Sequence, residues 1–432
     1  MNSSIHPTLS DLEVKLEANR CLNCYDAPCM HACPTHIDVA SFIGKIATNN
    51  LKGSARVIMD ANPMGASCAR VCPTEQLCEG ACVYHEAGDS PIRIGDLQRY
   101  AVDYAMHNDL ELFEPGPATG RRVAIVGGGP AGLSAARDLR RIGHAVTIFD
   151  AHDELGGLNT YGIVPFRLDL ETALWEAQQV VRMGVEVRTS TRVGGDVGVE
   201  QLLRDYDAVV LACGMGNVPK LDIPGEDLEG VWDALDFIER AKIGQDVGPL
   251  GNHVAVIGAG NTAIDALTCS KRLNKEARVT CYYRRGEAQM PAYQFEYDFA
   301  KQEGVEFRFF CAPTRILGEN GRVTGVEFVR TTLIDGNVAI IPGSEFVEPV
   351  DTVMRAIGQS RLLETLDDAG VAHHRGVVRV DESLQTSRAG IFAAGDCIFA
   401  RGMGEAMVVE AAEQGKRAAR SIDAYIKACH GK

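Results

Sequence analysis

A glycine-rich turn at Gly127–Gly132 constrains the fold more than any other feature, because it stands between an apolar run and a helix-forming segment. The run Arg122–Val126 has the composition of a buried strand, and the helix after the turn is predicted to continue through Arg141. A second apolar run, Ala145–Phe149, ends directly before Asp150. Strand, turn, helix, strand and terminal acid in this order predict a dinucleotide-binding βαβ unit of an α/β fold.

Each position of this turn has a physical role in holding a dinucleotide. Gly127 allows the tight turn, Gly129 lets a pyrophosphate approach the backbone, and Gly132 allows the helix to pack closely on the strand. The pyrophosphate would lie on the helix N-terminus, and Asp150 would accept hydrogen bonds from ribose hydroxyls. The alternative is a turn of purely structural use. The predicted nucleotide-binding residues are Gly127, Gly129, Pro130, Ala131, Gly132 and Asp150.

The same pattern recurs around Gly258, which follows the apolar run His253–Ile257. A helix is predicted to extend to about Leu273, and a strand to follow at Arg278–Tyr283. Alanine replaces the commoner third glycine of the turn, and it is small enough for helix–strand packing. This strand ends in Arg284 and Arg285 rather than in an acid, which suits the 2′-phosphate of NADP better than the free hydroxyl of NAD. The alternative is that both arginines are simply solvated.

Eight of the 14 cysteines lie between residues 21 and 82. In a reducing cytosol such clustering favours metal or redox centres over disulfides. The first four have the spacing C-x2-C-x4-C-x3-C-P, which resembles the bacterial iron–sulfur run, whose fourth cysteine serves the other cluster. Paired cysteines also bind zinc, so a zinc site is the alternative. The six scattered cysteines are predicted to be core or incidental residues: Cys213, Cys269, Cys281, Cys311, Cys397 and Cys429.

The spacing predicts how the cysteines divide between two clusters. Cys21, Cys24 and Cys29 are expected to hold one cluster, which then lacks a fourth ligand. Cys68 is the cysteine left over for that place, although another polar residue could fill it. The second cluster is expected to be held by Cys33, Cys72, Cys78 and Cys82.

The first 110 residues show little strand-like alternation and are predicted to form a small helical domain. Ser10–Glu13 has the pattern of a capping box and should start a helix that ends near Asn19. Helices are also predicted over Asp38–Asn49, Gly53–Ala61 and Asp96–Asn108, and Glu114–Gly120 has the composition of a linker.

Two later stretches, Asp207–Gly214 and Val350–Gly358, have the pattern of buried strands that end in glycine, and Gly390–Asp396 puts Asp396 at the end of a further strand. The step from Gly395 to Asp396 suits a contact with a ribityl hydroxyl or a flavin phosphate, with a structural turn as the alternative. A helix is predicted from about Glu405 to Ile426.

Composition excludes some classes of partner. Net charge is −15 without a basic tract, so nucleic acid and anionic membrane surfaces are unlikely partners. No apolar run approaches the roughly 18 residues of a membrane span, and the polar start has no signal core, so we expect a cytoplasmic protein.

With these residues in place, nearly the whole chain resembles the family of the flavoprotein subunit of bacterial dihydropyrimidine dehydrogenase, which is equivalent to the N-terminal half of the animal enzyme. The related small subunit of glutamate synthase shares the layout. The stretches that carry the resemblance are Cys21–Pro34, Asn62–Gly65, Val71–Thr74, Leu77–Cys78, Ile94–Gln98, Gly156–Leu158, Pro165–Arg167, Gly258–Asp265 and Ala393–Asp396.

The resemblance implies two [4Fe–4S] clusters, with Gln98 completing the one held by Cys21, Cys24 and Cys29. It also implies FAD in the first turn, with further contacts from Gly157, Leu158, Arg167, Gly395, Asp396 and Val409. The implied NAD(P) contacts are Ala259, Gly260, Asn261, Thr262, Arg284, Arg285, Ala356, Ile357 and Gly358.

The coenzyme stays open, because the animal enzyme has a further arginine where Pro291 stands here, and bacterial relatives use NADH. The fold class that follows is a helical iron–sulfur domain and two Rossmann-like domains, with the FAD domain discontinuous. The predicted bounds are 1–113 for the helical domain, 121–245 and 366–432 for the FAD domain, and 246–365 for the NAD(P) domain.

The predicted function is electron input: the chain would oxidise NAD(P)H with FAD and pass electrons through the clusters to a partner that reduces uracil or thymine. Pyrimidine reduction needs an FMN-containing barrel, so that barrel, with ferredoxin-like clusters, is expected to be another subunit of a hetero-oligomer. Gln98 favours this branch. The small subunit of glutamate synthase is the alternative, favoured by Tyr283–Arg285 and Glu287–Pro291. A non-catalytic module that binds zinc and nucleotide is a third hypothesis.

Overall fold

The computed structural model describes residues 8–400 and 406–430. Helices and strands alternate after an all-helical start. The α-helices of the described chain are α1 Asp11–Arg20, α2 Pro28–His31, α3 Val39–Ala47, α4 Leu51–Ala61, α5 Gly65–Val71, α6 Ile94–His107, α7 Pro130–Ile142, α8 Leu158–Tyr161, α9 Leu170–Val181, α10 Val199–Asp205, α11 Ala234–Lys242, α12 Asn261–Leu273, α13 Gln294–Gln302, α14 Leu363–Ala369 and α15 Val408–His430.

Short 3₁₀ helices lie at Val83–His85 and Glu287–Gln289. The strands of the described chain are β1 Arg122–Val126, β2 Ala145–Phe149, β3 Glu186–Arg188, β4 Ala208–Leu211, β5 Val231–Asp233, β6 His253–Ile257, β7 Arg278–Tyr283, β8 Glu306–Phe309, β9 Cys311–Glu319, β10 Arg322–Ile334, β11 Asn337–Ile340, β12 Phe346–Glu348, β13 Thr352–Arg355, β14 His373–His374, β15 Val377–Val378 and β16 Ile391–Ala393.

The helical start forms as its sequence predicts. Ser10 caps α1 through a capping box, since its hydroxyl accepts from the Glu13 N–H at 3.4 Å and its own N–H donates to Glu13 Oε2 at 2.8 Å. One face of α3 is buried through Val39, Phe42, Ile43 and Ile46. Helix α15 begins at Val408, and the predicted start at Glu405 lies outside the described residues.

The first nucleotide turn belongs to a five-stranded parallel sheet in the order β16-β4-β1-β2-β3. Strand β16 comes from the C-terminal region, so the predicted discontinuity of this domain is confirmed. The helical region and this sheet share one hydrophobic core, which runs from Phe42 and Leu97 to Ile125 and Ile422. Helix α15 packs on α7 through Gly415, where an added Cβ would lie 2.1 Å from the Ala131 carbonyl oxygen.

The second turn belongs to another five-stranded parallel sheet, in the order β5-β13-β6-β7-β8. An antiparallel group follows, in which β10 pairs with β9, β11 and β12. Strand β5, which the predicted bounds assign to the FAD domain, is an edge strand of this second sheet. A three-residue edge strand has too little pattern to show which sheet it will join.

The described chain divides into two compact units. One comprises Tyr161–Phe166 and Gly216–Ser360 and contains the second sheet. The other comprises residues 8–160, Arg167–Met215 and the described residues from Arg361 onwards, and it contains the helical region together with the first sheet. The described part of the predicted helical domain, 8–113, therefore lies in the same unit as most of the predicted FAD range 121–245, whereas residues 161–166 and 216–245 of that range belong to the other unit.

Candidate cofactor sites

The first glycine turn has the open space and the free donors that a pyrophosphate needs. Gly127 has φ +103°, and a side chain there would meet the Ala212 carbonyl oxygen at 2.3 Å. A Cβ on Gly132 would lie 1.9 Å from the Gly127 carbonyl oxygen, so this contact requires glycine. A Cβ on Gly129 would instead meet only Gly157 Cα, at 3.8 Å. Gly129 gives α7 no side-chain cap, which leaves N-terminal N–H groups for an anion.

Asp150 lies at the end of β2, where the prediction requires an acceptor for ribose hydroxyls. Its carboxylate is buried and accepts from the Gly128 N–H at 2.6 Å and the His152 N–H at 2.8 Å. A carboxylate has about four lone-pair sites, so these two bonds leave acceptor capacity for a ribose. Asp150 therefore holds the turn in shape and can also bind a nucleotide.

A second pair of glycines lies against the first turn. Gly156 and Gly157 have φ values of +119° and +55°, and a Cβ on Gly157 would lie 2.9 Å from Gly129 Cα. This close approach carries the exposed Leu158 to the mouth of the turn. The predicted FAD contacts Gly157 and Leu158 are thus brought to the first turn by backbone geometry.

The Gly395–Asp396 step also meets the first turn. Gly395 has φ +78°, donates its N–H to Gln414 Oε1 at 2.7 Å, and approaches so closely that a Cβ there would lie 2.9 Å from Ala131 Cβ. Burial raises the pKa of Asp396, and the nearby Arg361 opposes that shift. These contacts place Asp396 at the edge of the sheet occupied by the first turn.

Two predicted FAD contacts lie outside this group of turns. Val409 is buried in the first turn of α15. Arg167 is half-buried and precedes α9. The other predicted residues converge on one edge of the first sheet, and their open space, capless helix and carboxylates fit a dinucleotide such as FAD.

The second turn is built in the same way within its own unit. Gly258 has φ +131°, and a Cβ there would meet the Ala356 carbonyl oxygen at 2.1 Å, so the turn packs on the end of β13. A Cβ on Gly260 would have only Pro291 Cγ nearby, at 3.8 Å, and Gly260 leaves α12 without a side-chain cap. Asn261 Oδ1 accepts from the Tyr293 N–H at 3.2 Å.

The remaining predicted NAD(P) residues surround this turn. Ala259 and Ala356 are buried, Thr262 is half-buried, Ile357 is exposed, and Gly358 has φ +111°. Parallel pairing of β6 with β7 and β13 brings their carboxyl ends to the same edge of the sheet. The predicted residues therefore lie together, as a bound nicotinamide nucleotide requires.

Arg284 and Arg285 are held at the tip of β7 through their backbone. The Arg284 carbonyl accepts from Thr331 Oγ1 at 3.0 Å, and the Arg285 carbonyl accepts from the Phe310 N–H at 3.1 Å. The Arg284 side chain is exposed and that of Arg285 is half-buried. These hydrogen bonds fix the backbone of both arginines and leave the exposed side chain of Arg284 available to a phosphate.

The first thiol group surrounds a cavity in the helical region. Its cysteines are Cys21, Cys24, Cys29 and Cys82, and its wall is completed by apolar side chains from α3, the 3₁₀ helix and the loop before α6. Burial, with smaller contributions from the nearby Cys21 and Cys82, raises the pKa of Cys29 to about 11. Four thiols around one apolar cavity fit the donor set of a [4Fe–4S] cluster.

The second thiol group comprises Cys33, Cys68, Cys72 and Cys78. A hydrogen bond with Cys68, followed by burial, raises the pKa of the Cys72 thiol, and Cys78 and Cys33 also act on it. Burial raises the pKa of Cys78, with further contributions from Glu79 and Cys33. Metal binding requires deprotonated thiols, and neighbouring thiolates repel one another. A bound cation would offset that repulsion.

The division of the cysteines differs from the one predicted from spacing. Cys82 lies with Cys21, Cys24 and Cys29, because the segment after it folds back: Tyr84 Oη donates to the Arg20 carbonyl oxygen at 2.7 Å. The Arg20 guanidinium also lies 5.2 Å from the Tyr84 ring centroid. The spacing of the cysteines does not show that the chain folds back after Cys82. The prediction that Cys82 shares a cluster with Cys33 is therefore corrected: Cys82 lies in the first thiol group.

Gln98 also differs from its predicted place. It is buried on α6, its Nε2 donates to the Gly65 carbonyl oxygen at 2.7 Å, and it does not line the cavity of the first thiol group. Gly65 begins α5, which carries Cys68, so Gln98 lies near the second thiol group instead.

The thiol groups are spread more widely than the ligands of a single ion. In the described residues, no set of three or more His, Cys, Asp or Glu side chains could hold one metal ion. In an iron–sulfur cluster each thiolate binds a different iron, so its ligands need not converge on one point. The thiol chemistry fits clusters better than the zinc alternative.

A buried carboxylate, Glu176 of α9, contacts the start of α5, the helix that carries Cys68. It accepts from the N–H groups of Ala66 at 2.6 Å and Ser67 at 3.0 Å, and also from the Ser67 hydroxyl. Asn159 Nδ2 donates to Ser67 Oγ at 3.0 Å. Burial raises the pKa of Glu176 to about 7.

Sequence reasoning missed Glu176, although one signal was available. Ala173 precedes it by three residues and Val180 follows by four, so on a helix all three lie on the same buried face. An acid in the middle of an apolar face needs partners, and here they come from α5.

Large apolar side chains are exposed beside the first thiol group. Leu22 lines the cavity and is 61% exposed, and Tyr25 is fully exposed. On α1, Leu12 and Leu16 are also exposed, one turn apart, although Val14 and Ala18 of the same helix are buried. These four exposed side chains, Leu12, Leu16, Leu22 and Tyr25, are called the exit surface below, and Leu22 is the one that lines the cavity.

A separate observation concerns membranes: among the helices of the described chain, none combines the length and the apolarity that crossing a bilayer demands.

Two protein-family models match the chain. Residues 2–110 match the 4Fe–4S cluster domain described as domain II of dihydropyrimidine dehydrogenase. Residues 121–415 match the pyridine nucleotide-disulphide oxidoreductase model.

Curated relatives cover almost the whole chain. The small chain of the NADPH-type glutamate synthase of Escherichia coli is 34% identical, over 97% of this chain and 92% of its own length. The PreT subunit of NAD-dependent dihydropyrimidine dehydrogenase from the same species is 35% identical, over 98% and 96%.

Solved structures share the nucleotide-binding part of the fold. FprA of Mycobacterium tuberculosis in complex with NADPH superposes with a TM-score of 0.58 and 19% identity, covering 73% of this chain and 86% of that one. This likeness confirms the α/β fold class of the nucleotide-binding region.

Proposed function

Because this chain belongs to the pyridine nucleotide-disulphide oxidoreductase family and carries the 4Fe–4S domain of dihydropyrimidine dehydrogenase, we propose that it is the electron-input subunit of a pyrimidine-reducing enzyme. It takes electrons from NAD(P)H and delivers them to a partner that reduces uracil or thymine to the 5,6-dihydropyrimidine. The observation that carries this proposal is the presence of two nucleotide turns and two thiol groups on one chain.

At the coarser level, the chain is an NAD(P)H-dependent oxidoreductase with FAD and [4Fe–4S] clusters. When bound, FAD would accept a hydride from the nicotinamide and release its electrons one at a time to the clusters. The residues of the chain supply position and electrostatics: the helix N-termini at Gly129 and Gly260 take the pyrophosphates, and Asp150 takes a ribose.

The ligands proposed for the two clusters follow the thiol groups. Cys21, Cys24, Cys29 and Cys82 hold the first cluster. Cys33, Cys72 and Cys78 hold the second, with Cys68 as the fourth ligand, because its thiol already contacts that of Cys72. Gln98 is the alternative for this fourth place, since it lies against the start of α5.

The contacts of Ser67 support one direction for the proposed electron path. Asn159 follows the predicted FAD contact Leu158 and donates to Ser67, which immediately precedes Cys68. The second cluster is therefore the one nearer to the flavin. The first cluster lies beside the exit surface and delivers electrons to the partner.

Arg284 is the residue proposed to decide between the coenzymes. Its exposed guanidinium at the tip of β7 can pair with the 2′-phosphate of NADP, for which arginine is well suited. Pro291, at 3.8 Å from a Cβ built on Gly260, stands where the animal enzyme carries a further arginine. NADH thus remains the competing coenzyme.

The second candidate function is the small chain of a glutamate synthase. A relative of that name matches this chain almost as well as the pyrimidine enzyme's subunit does. Both candidates share the electron route and differ only in the partner. The proposed partner is a subunit with an FMN-containing barrel and ferredoxin-like clusters.

The deciding experiment is to purify the chain with its partner and to supply NADH or NADPH together with each acceptor. Uracil and thymine test the first function, and 2-oxoglutarate with glutamine tests the second. Coenzyme oxidation that depends on uracil or thymine supports the proposal. Oxidation that depends only on 2-oxoglutarate and glutamine replaces it with the glutamate synthase function.

A further inference from the structure

Two cysteines outside the thiol groups touch each other at the edge of the first sheet. Cys213 follows β4 and Cys397 follows β16, and these neighbouring parallel strands pair Leu211 with Ala393. Cys397 Sγ lies 3.3 Å from the carbonyl oxygens of Leu211 and Ala394. The thiols of Cys213 and Cys397 are hydrogen-bonded to each other.

The pair stands beside the predicted FAD turn. A Cβ on Gly127 would lie 3.0 Å from Cys213 Cα, so Cys213 borders the backbone of that turn. Cys397 directly follows Asp396. Sequence alone predicted both cysteines to be core or incidental residues, because they are far apart in the chain.

The two residues differ in exposure, and their thiols differ in acidity. Cys397 is buried, whereas Cys213 is partly exposed. The hydrogen bond from Cys397 lowers the pKa of the Cys213 thiol, and that bond together with burial raises the pKa of Cys397. A thiolate is the reactive form, so Cys213 is the nucleophile and Cys397 is the resolving thiol.

We propose that Cys213 and Cys397 form a peroxide-reactive dithiol site that closes to a disulfide beside the FAD turn. The oxidant is hydrogen peroxide, which forms when oxygen reacts with reduced flavins. The proposal adds a covalent modification site that electron transfer through the clusters does not use.

The chemistry proceeds in two balanced steps. Cys213 thiolate attacks one oxygen of the peroxide, its O–O bond breaks, and hydroxide leaves, so that Cys213 becomes a sulfenic acid. The Cys397 thiol then attacks the Cys213 sulfur, an S–S bond forms, and the sulfenic oxygen leaves as water. Two thiols and one peroxide give one disulfide and two waters. A dithiol reductant reverses the bridge by thiol–disulfide exchange.

The test uses the full chain with flavin and clusters bound. The protein is exposed to a limiting amount of hydrogen peroxide, denatured in the presence of an alkylating agent and digested, and the peptides are identified by mass spectrometry. The expected product is a peptide pair joined through Cys213 and Cys397, which separates on reduction, with a loss of two free thiols per chain. Iron and flavin are measured before and after, so that thiols released from a damaged cluster are recognised by their own peptides.

Variants separate the two roles. In Cys397→Ala the sulfenic acid on Cys213 has no partner, so dimedone should label Cys213. In Cys213→Ser, Cys397 should stay reduced. Cys429→Ser is the matched control, because Cys429 is an exposed cysteine on α15 and its loss should leave the bridge unchanged.

Two results would overturn the proposal. One is full alkylation of Cys213 and Cys397 in wild-type protein after an exposure that oxidises Cys429. The other is dimedone labelling of Cys397 in Cys213→Ser at the rate of Cys213 in Cys397→Ala. The first result comes from wild-type protein, so it holds even if a variant fails to fold.

Discussion

Glu176 shows how one side chain can join two parts of a molecule. It is fully buried, and its carboxylate accepts from Ala66 and Ser67 at the start of the helix that carries Cys68. A buried carboxylate without these donors would cost several kcal/mol. The same contacts hold α9 against α5, the helix that carries Cys68.

The protonation of Glu176 predicts how stability depends on pH. Burial raises the pKa of Glu176 from 4.5 to about 7. In the unfolded chain the Glu176 carboxyl group loses its proton near pH 4.5. The stabilising contribution of Glu176 is therefore complete below that pH and is lost as the pH rises through about 7. A shift of this size corresponds to about 3 kcal/mol. Glu176→Gln keeps the shape without the titration, so its thermal midpoint should rise relative to wild type between pH 5.5 and 8.

The measurement is thermal unfolding of both proteins across that pH range in the same buffers. Glu171→Gln is the matched control, because Glu171 is exposed in the first turn of the same helix. A constant difference between Glu176→Gln and wild type from pH 5.5 to 8 would contradict the assignment.

Arg284→Ala should weaken NADPH more than NADH. A charge-assisted hydrogen bond to phosphate contributes roughly 1.5–3 kcal/mol, so the dissociation constant of NADPH should rise about ten- to hundredfold, with NADH little changed. Titration of flavin reduction or direct binding would measure both. Arg278→Ala removes the same charge from the other end of β7 and serves as control. An equal loss for both coenzymes would remove the phosphate-binding role of Arg284.

At the scale of elements, the return of the chain after Cys82 decides which cysteines meet. The 3₁₀ helix at Val83–His85 brings Tyr84 to the end of α1, where it bonds to the Arg20 carbonyl oxygen. The loop between Cys78 and Cys82 therefore spans from one thiol group to the other. Cys33 and Cys82 each lie in the group that is farther from them in sequence.

This arrangement predicts that Cys82→Ala and Cys21→Ala remove the same cluster, and that Cys33→Ala removes the other. Each variant should retain about half of the iron, because the cluster with four intact ligands remains. Iron content and electron paramagnetic resonance of the reduced protein would measure this. If Cys82→Ala instead gives the spectrum of Cys33→Ala, the division predicted from spacing is restored.

The contrast between turns and cysteines shows what sequence could predict. The roles of Gly127, Gly132 and Asp150 depend on neighbours within one βαβ unit, so the local sequence pattern is enough to predict them. The partners of Cys82 and Glu176 lie on other elements, and no local pattern specifies them. Strand β5 is a similar case, because three residues do not identify the sheet that they join.

At the scale of the whole molecule, the proposed electron route has an inlet and an outlet. We propose the nicotinamide turn as the inlet and the exit surface as the outlet. Leu12, Leu16, Leu22 and Tyr25 expose apolar side chains there, and in the proposed assembly the partner subunit covers them.

Tyr25→Glu and Leu16→Glu should therefore weaken partner binding by tenfold or more, while reduction of ferricyanide by NAD(P)H continues at the wild-type rate. A charge placed in an apolar interface must be desolvated without a partner, which is the reason for the loss. Co-purification and a dye-reduction assay would measure the two effects. Ile340→Glu, an equally exposed apolar position on β11, is the control. Unchanged partner binding in both exit-surface variants would rule this surface out.

The late strand β16 has a consequence for biosynthesis. The first sheet pairs Val209 with Ile391, and α15 then covers α7 and bonds to the helical region through Lys416 Nζ and the Ala61 carbonyl oxygen at 2.6 Å. A ribosome releases β16 and α15 only after the Gly216–Ser360 unit has emerged. That unit can therefore fold before the first sheet is complete, and flavin loading waits until β16 and α15 have been made.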